Sequence, residues 1–268
     1  MRRSYSWTSY GSMNDRTPAD VTRVVALGAS NLTLGFQNVV ATARATWGPG
    51  VEVVAALGHG RSYGANSTVV IRTLPGILQS GLWRKLESLP PATTRGLVTD
   101  VGNDIIYGYS AEQTLAWVDE ALSRLQSYTR DVVLTDLPLT TIRRLSRAKF
   151  LALRSVMAPA CRLSLGQVVD RTEQVDAGLG RLAAARGVRL VHLNPDWYGF
   201  DPIHIRVAAR RSAWQEIVGS QINGVRRSRI EALRLLLMRP ERQWLFGVER
   251  LSPQSGTALR SGSRVWLY

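Results

Sequence analysis

The stretch that decides the fold of this chain lies near its beginning and runs Arg23-Val24-Val25-Ala26-Leu27-Gly28-Ala29-Ser30-Asn31. Its first part is a short apolar run that contains neighbouring valines and ends at a glycine, which is typical of a strand buried on both faces. A serine follows at once, and residues 34–47 have the pattern of a helix. A buried strand, a polar turn and a helix predict the first unit of an α/β domain.

The same unit recurs along the chain. Further apolar runs lie at 51–57, 96–101, 131–137 and 188–193, and helical patterns lie within 66–89, 110–128, 147–186 and 206–219. Continuously apolar strands that alternate with helices indicate a parallel sheet covered on both faces. We therefore predict an α/β fold with a doubly wound, parallel, five-stranded sheet between two layers of helices.

The two ends of the chain differ from this pattern. Residues 1–20 are rich in Ser, Arg and Tyr without a period, so we predict a mobile leader, followed by the α/β domain over 21–220. Residues 221–268 form a basic C-terminal extension, with an amphipathic helix at 226–238 and a hairpin within 243–268. A basic amphipathic helix can lie on an anionic membrane surface. More often it packs on its own domain, and we expect packing here.

Composition excludes several classes of protein. The net charge is +14, but almost all of the 34 cationic residues are arginines. Codon usage alone can produce this bias, so we do not expect a nucleic-acid partner.

The single cysteine, Cys161, excludes an intramolecular disulfide, and no Cys/His cluster has metal-ligand spacing. We expect no metal and no cofactor. The sequence has neither a signal-peptide pattern nor an apolar run long enough for a membrane span, which predicts a cytoplasmic protein.

Polar residues that can carry chemistry stand at the exits of the predicted strands. They are Ser30 after the first strand, Gly60 after the second, Asn103 after the third, and Asp201 and His204 after the last. In a doubly wound sheet, ligands bind beyond the carboxyl ends of the strands. A serine hydroxyl needs a base that removes its proton during attack, and His204 can be that base. Asp201, three residues earlier, is placed to orient the imidazole.

This order of blocks resembles the SGNH (GDSL-type) hydrolase family, which is named for its Ser, Gly, Asn and His. The resemblance covers about residues 23–215 and implies the flavodoxin-like sheet of that family. It implies a catalytic triad of Ser30, Asp201 and His204. It also assigns the oxyanion hole to the backbone N–H groups of Ser30 and Gly60 and to the side-chain amide of Asn103. Taken alone, each block has a plainer explanation as a helix cap or a turn.

Residues beside these blocks are candidates for the substrate pocket: Asn31, His59, Arg61, Trp197, Tyr198 and Phe200. An arginine in the cleft favours an anionic substrate, whereas a solvated arginine has no such role. Aromatic rings can form a wall for an acyl chain or a sugar, or they can bury their own loop against the sheet.

Some residues depart from the family pattern or compete for a role. The family usually has Asp before the nucleophile and often Leu after it, and this chain has Ala29 and Asn31 there. We expect Asn31 to replace part of what that Asp does. Asp196 is the rival to Asp201, whereas His192 is expected in the core or hydrogen-bonded beside the site.

The resulting hypothesis is a serine esterase that hydrolyses an O-acyl ester through a Ser30 acyl-enzyme. Its substrate would be a small-molecule, carbohydrate or lipid ester. An O-acyltransferase that uses the same site is the first alternative. The second is a non-catalytic module that binds anionic lipid or nucleic acid through the basic C-terminus. The sequence does not set the oligomeric state.

Overall fold

The structure is a computed structural model that describes residues 21–220, 222 and 228–268. The predicted leader, residues 1–20, lies outside the described residues. The strands are β1 (Thr22–Leu27), β2 (Glu52–Ala56), β3 (Ser67–Val69), β4 (Arg72–Leu74), β5 (Thr93–Val98), β6 (Val132–Thr135), β7 (Arg189–Val191), β8 (Arg242–Leu245), β9 (Val248–Leu251), β10 (Thr257–Ala258) and β11 (Arg264–Leu267).

The helices cover both faces of the main sheet. They are α1 (Ser30–Trp47), α2 (Leu82–Ser88), α3 (Asn103–Ile106), α4 (Ala111–Gln126), α5 (Leu139–Arg143), α6 (Arg147–Met157), α7 (Leu165–Arg186), α8 (Arg210–Val218) and α9 (Arg229–Leu237). Short 3-10 helices lie at Ile77–Gln79 and Pro195–Trp197. Within the described part of the chain, no helix is both long and apolar enough to cross a bilayer.

The main sheet has the strand order β10-β11-β2-β1-β5-β6-β7. The strands from β2 to β7 in this order are parallel, which confirms the predicted α/β fold with a parallel sheet. The predicted number of five strands is wrong, because two strands from the C-terminal segment extend the sheet. Strand β11 adds parallel to β2, and β10 pairs antiparallel with β11. Residues 257–267 are therefore an integral part of the sheet.

Alternate residues of the central strand pack into two separate cores. Val25 and Leu27 of β1 face the layer that contains α4 and α7. Val24 and Ala26 face α1 and α8 on the other side. The helices α1 and α8 pack closely where Gly35 of α1 meets Trp214 of α8. A Cβ atom on Gly35 would lie 1.7 Å from Trp214 Nε1. Only glycine leaves room for the buried indole at this crossing.

A second, antiparallel sheet has the order β3-β4-β8-β9. Part of the predicted helical region at 66–89 is therefore wrong, because residues 67–74 form the β3–β4 hairpin and the helix α2 covers only Leu82–Ser88. The two threonines of this segment pair across the hairpin, which suits a pleated strand better than a helix. The C-terminal segment supplies β8 and β9, so the sheet joins distant parts of the chain.

The predicted amphipathic helix is present as α9. It packs on α1, with Leu235 buried and the Glu231 carboxylate 2.8 Å from Arg44 Nη1. The Ser261 backbone N–H also donates to Glu231 at 2.8 Å. Residues 226 and 227, the first two of the predicted helix, lie outside the described residues.

Arg61 does not take either of its two predicted positions, in the cleft or in solvent. Its side chain is fully buried and donates to the backbone oxygens of Leu57 (3.2 Å), Pro75 (3.0 Å) and Tyr268. Burial, and then the nearby charge of Arg72, lower the Arg61 pKa to about 9. One guanidinium thus joins the end of β2, the loop after β4 and the end of β11.

Replacing Arg61 with methionine should lower the free energy of unfolding by about 3 kcal/mol, because buried carbonyl groups lose a charged donor. Urea unfolding followed by circular dichroism measures this change. The matched control is Arg260→Met on the exposed surface, which should change stability by less than about 0.5 kcal/mol. Equal effects of the two substitutions would show that Arg61 does not hold these segments together.

Candidate active site

The predicted nucleophile occupies the first turn of α1, directly after β1. Ser30 is buried, and its Oγ lies 2.9 Å from His204 Nε2. The residue at the cap position of α1 is Ala29, and Ser30 is the first residue of the helix. The alternative explanation of Ser30 as a helix cap is therefore wrong.

The carboxylate of Asp201 orients this histidine. Asp201 Oδ2 lies 2.6 Å from His204 Nδ1, and Asp201 Oδ1 accepts the backbone N–H groups of Ile203 (3.0 Å) and His204 (3.2 Å). Burial alone would raise the Asp201 pKa, but hydrogen bonds from the His204 ring and the two N–H groups lower it below its ordinary value. The rival, Asp196, is exposed on the preceding 3-10 turn. The structure thus joins Asp201 to His204 and His204 to Ser30.

Asn31 fastens the histidine loop to the start of α1. Its Nδ2 donates to the Ile203 carbonyl at 2.8 Å, and its Oδ1 accepts the Ile205 N–H at 2.8 Å. These two residues flank His204, so one amide holds both sides of the loop. Asn31 Nδ2 also donates to Asp100 Oδ1 at 2.9 Å.

Asp100 holds the other side of this network. Its Oδ2 accepts the backbone N–H groups of Ala29 and Leu32, both at 2.9 Å. It stands in the turn after β5 with a φ of 61°, an uncommon conformation that asparagine and aspartate tolerate best. The acid that the family usually carries at position 29 is absent, and here Asp100 supplies a carboxylate to this helix end. The position of Asp100 after a strand does not by itself indicate these hydrogen-bond partners.

The three groups assigned to the oxyanion hole lie around one cavity with His204. Gly60 has a φ of 65°, and a Cβ atom there would come within 2.4 Å of Val69 Cγ2. Its carbonyl accepts the Tyr107 hydroxyl at 2.5 Å. Asn103 begins α3, and its amide donates to the Arg61 carbonyl at 3.3 Å, a long hydrogen bond.

The cavity has a volume of about 370 Å³ and two chemically different sides. The triad side is polar, with Ser30, His204 and Asn103. Most of the lining from α5, α6, α7 and the loops between them is apolar, although Arg154 and Thr172 also line the cavity. The apolar side chains are Ile142, Leu145, Phe150, Leu153 and Val168. This size lies within the range of small-molecule sites. The arrangement brings a hydrogen-bonded serine to the edge of an apolar chamber.

Comparison with known proteins found similar solved structures. No protein-family model matches the sequence, and no curated protein matches it. Similar solved structures include a G-D-S-L family lipolytic protein from Veillonella parvula, at 11% identity over 76% of this chain and 100% of that chain, with a TM-score of 0.46. The esterase EstA from Pseudoalteromonas is 10% identical over 74% of this chain and 96% of that chain, with a TM-score of 0.44. The SGNH-hydrolase family esterase AlinE4 is 14% identical over 81% of this chain and 98% of that chain, with a TM-score of 0.38.

The main sheet has the parallel, doubly wound arrangement that the resemblance to the SGNH hydrolases implies. The serine, glycine, asparagine and histidine blocks follow β1, β2, β5 and β7.

Some of the predicted pocket residues lie outside the cavity. Asn31 and His59 line the cavity. Trp197 and Tyr198 do not, because they are buried in the core between the sheet and α8. Phe200 is 80% exposed, with Lys149 Nζ 4.3 Å from its ring centre. The predicted aromatic cluster is thus divided between core and surface, and other apolar side chains line the cavity instead.

The two other histidines differ in their surroundings. His59 lines the cavity, and its pKa is lowered, first by burial and then by the positive charges of Arg72 and His204. The His192 side chain is 80% exposed, so it is not in the core. Of the two predicted positions it takes the other one, because its Nδ1 lies 2.7 Å from Asp136 Oδ2. Asp136 lines the cavity, and burial raises its pKa above the ordinary value. In the described part of the chain, no cluster of three or more metal-ligating side chains is found.

The buried carboxyl group next to Asn103 should make stability depend on pH. Burial raises the Asp104 pKa from 3.8 to about 6, against the opposing hydrogen bonds from Ser62 and Tyr63. The folded state therefore binds more protons than the unfolded state between these pH values, and stability falls as the pH rises through them. Asp104→Asn should remove this loss and gain up to about 3 kcal/mol relative to the parent between pH 4 and pH 7.

Denaturant unfolding at several pH values measures this difference. The control is the exposed Asp170→Asn, whose effect should not change over the same range. If the difference between Asp104→Asn and the parent is independent of pH, Asp104 is not held in its neutral form by burial.

Proposed function

We propose that this chain hydrolyses O-acyl esters through an acyl-enzyme on Ser30. The observation that carries the proposal is the hydrogen-bond chain from Ser30 Oγ to His204 Nε2 (2.9 Å) and from His204 Nδ1 to Asp201 Oδ2 (2.6 Å). This is the geometry by which a weakly nucleophilic hydroxyl gains a base within reach.

In the first half-reaction, His204 Nε2 takes the Ser30 proton as Oγ bonds to the ester carbonyl carbon. The carbonyl oxygen becomes an oxyanion, and Asp201 stabilises the imidazolium that forms. His204 then gives the proton to the departing alcohol oxygen as the carbon–oxygen bond breaks. In the second half-reaction, water loses a proton to His204 and attacks the acyl carbon, and Ser30 regains its proton as the acid leaves.

The oxyanion would be held by the N–H groups of Ser30 and Gly60 and by the Asn103 amide. Ser30 is the first residue of α1, where backbone N–H groups have no partner within the helix and the helix dipole favours negative charge. The long bond from Asn103 to the Arg61 carbonyl leaves that amide free to turn toward a substrate oxygen at low cost. One such donor typically contributes about 2.7–4 kcal/mol to the transition state.

The substrate class follows from the cavity. Its mostly apolar lining suits a hydrocarbon acyl chain better than a sugar, because a buried hydroxyl without a partner is costly. We therefore place the acyl group in the cavity and the alcohol at the mouth. An alcohol acceptor in place of water would make the same acyl-enzyme a transferase.

A series of p-nitrophenyl esters of increasing acyl length tests the proposal. The parent chain should hydrolyse them, and Ser30→Ala should lower kcat/KM by at least about 10⁴-fold, since the nucleophile is lost. Ser212→Ala, at an exposed serine of α8, should retain full activity. If Ser30→Ala keeps the parent rate, the hydrolysis belongs to another site and the proposal is wrong. Added alcohols that yield new esters would identify the transferase.

Filling the cavity should shorten the acyl chain that is accepted. In Leu145→Trp, a larger side chain occupies the apolar side, so kcat/KM for a long-chain ester should fall at least about tenfold relative to a short-chain ester. Leu151→Trp, at an exposed position of α6, is the control and should leave that ratio unchanged. An unchanged ratio in Leu145→Trp would place the acyl chain outside the cavity.

A further inference from the structure

The second sheet ends in two neighbouring hairpin tips that expose large apolar side chains. The β3–β4 tip carries Val70 (90% exposed) and Ile71 (44%), and the β8–β9 tip carries Phe246 (77%) and Val248 (54%). The Phe246 N–H donates to the Ile71 carbonyl at 2.9 Å, so the two tips lie side by side. These four residues are called the hairpin tips below.

Both tips hold a bulky residue in a backbone conformation that such residues avoid. Val70 has a φ of 56° and Phe246 a φ of 50°. For β-branched and bulky residues this left-handed region is strained, and glycine or asparagine would fit with less strain. The side chains at these positions gain nothing from burial in the fold, because they are exposed. A strained backbone that carries an exposed apolar side chain indicates that the side chain contacts a partner outside the folded chain.

The hairpin tips are continuous with the candidate active site. Val69, the residue before Val70, lines the cavity and lies against Gly60. The register pairs Val69 with Arg72, Arg72 with Leu245, and Leu245 with Val248, so these side chains share one face of the sheet. A largely apolar row therefore leads from the cavity to the exposed edge.

The charge around the hairpin tips is positive. Strands β4, β8 and β9 contain three arginines and one glutamate, and the glutamate, Glu249, pairs with Arg242. Neither Arg72 nor Arg250 has an acidic partner within the residues that the structure describes. An apolar tip flanked by arginines complements the boundary between anionic headgroups and acyl chains.

The size of the surface argues against a second copy of the chain as the occupant. A stable protein–protein interface takes about 800 Å² and 20–30 residues from each partner. Four side chains on two projecting turns supply much less. Insertion into a bilayer needs only a few apolar side chains, since each gains from its own transfer.

We propose that the hairpin tips dock the chain on an anionic phospholipid bilayer, with the four apolar side chains in the headgroup–acyl boundary. The exposed Arg250 faces the lipid phosphates. The mouth of the cavity then lies at the membrane surface. This docking does not depend on the hydrolytic chemistry of Ser30.

Co-sedimentation of the full chain with vesicles tests the docking. The chain should bind phosphatidylcholine vesicles that contain phosphatidylglycerol and bind pure phosphatidylcholine vesicles more weakly. The double variant Val70→Asn and Phe246→Asn removes both apolar side chains with a residue that tolerates positive φ. It should lower the affinity for anionic vesicles at least about tenfold. Arg250→Gln should lower it about fivefold.

The matched control is the double variant Leu233→Gln and Leu236→Gln on α9, where two other apolar side chains are exposed. It should bind like the parent. All variants should keep the parent's unfolding midpoint, apart from a small gain at the hairpin tips from relieved strain.

Three results would overturn the proposal. The first is that the parent chain stays in the supernatant when it is mixed with anionic vesicles. Another is undiminished binding by the Val70/Phe246 variant, or a loss confined to the α9 variant, which would move the contact to the amphipathic helix. The third is a dimer of the parent, seen by sedimentation, that the Val70/Phe246 variant cannot form.

Discussion

One side-chain amide, that of Asn31, holds together the two parts of the chain on which the site depends. Ser30 and His204 are separated by 174 positions, and Asn31 bonds the backbone on both sides of His204 from the residue next to Ser30. Asp100 fixes Asn31 and the start of α1 in turn. Without this network, nothing in the first turn of α1 would set the distance from Ser30 Oγ to the imidazole.

The C-terminal segment completes the molecule around this site. Strand β11 extends the main sheet beside β2, and β8 and β9 extend the small sheet that begins with β3. The buried Arg61 guanidinium connects these additions, because it bonds backbone oxygens from three separate segments. The segment therefore shapes the surface next to Gly60, where the cavity opens.

The sequence predicts the parts of this structure that local pattern controls. Continuous apolar runs such as 24–27 indicate buried parallel strands, and the order of blocks at the strand ends indicates which residues meet. Pairing between distant segments leaves no such pattern, so β11 beside β2 was not predicted. The short segment 67–74 fits a helix or a hairpin equally well until its partner β8 is known. The burial of Arg61 depends on carbonyl groups from Leu57 to Tyr268, which only the fold brings together.

The most direct measurement is the identification, by mass spectrometry, of the residue that a fluorophosphonate modifies. The activated hydroxyl should place the adduct on the peptide containing Ser30, at a rate that falls at least about a hundredfold in His204→Gln. His192→Gln, at the exposed histidine, should leave the rate unchanged. An adduct on another residue, or equal rates in the parent and in His204→Gln, would show that His204 does not activate Ser30.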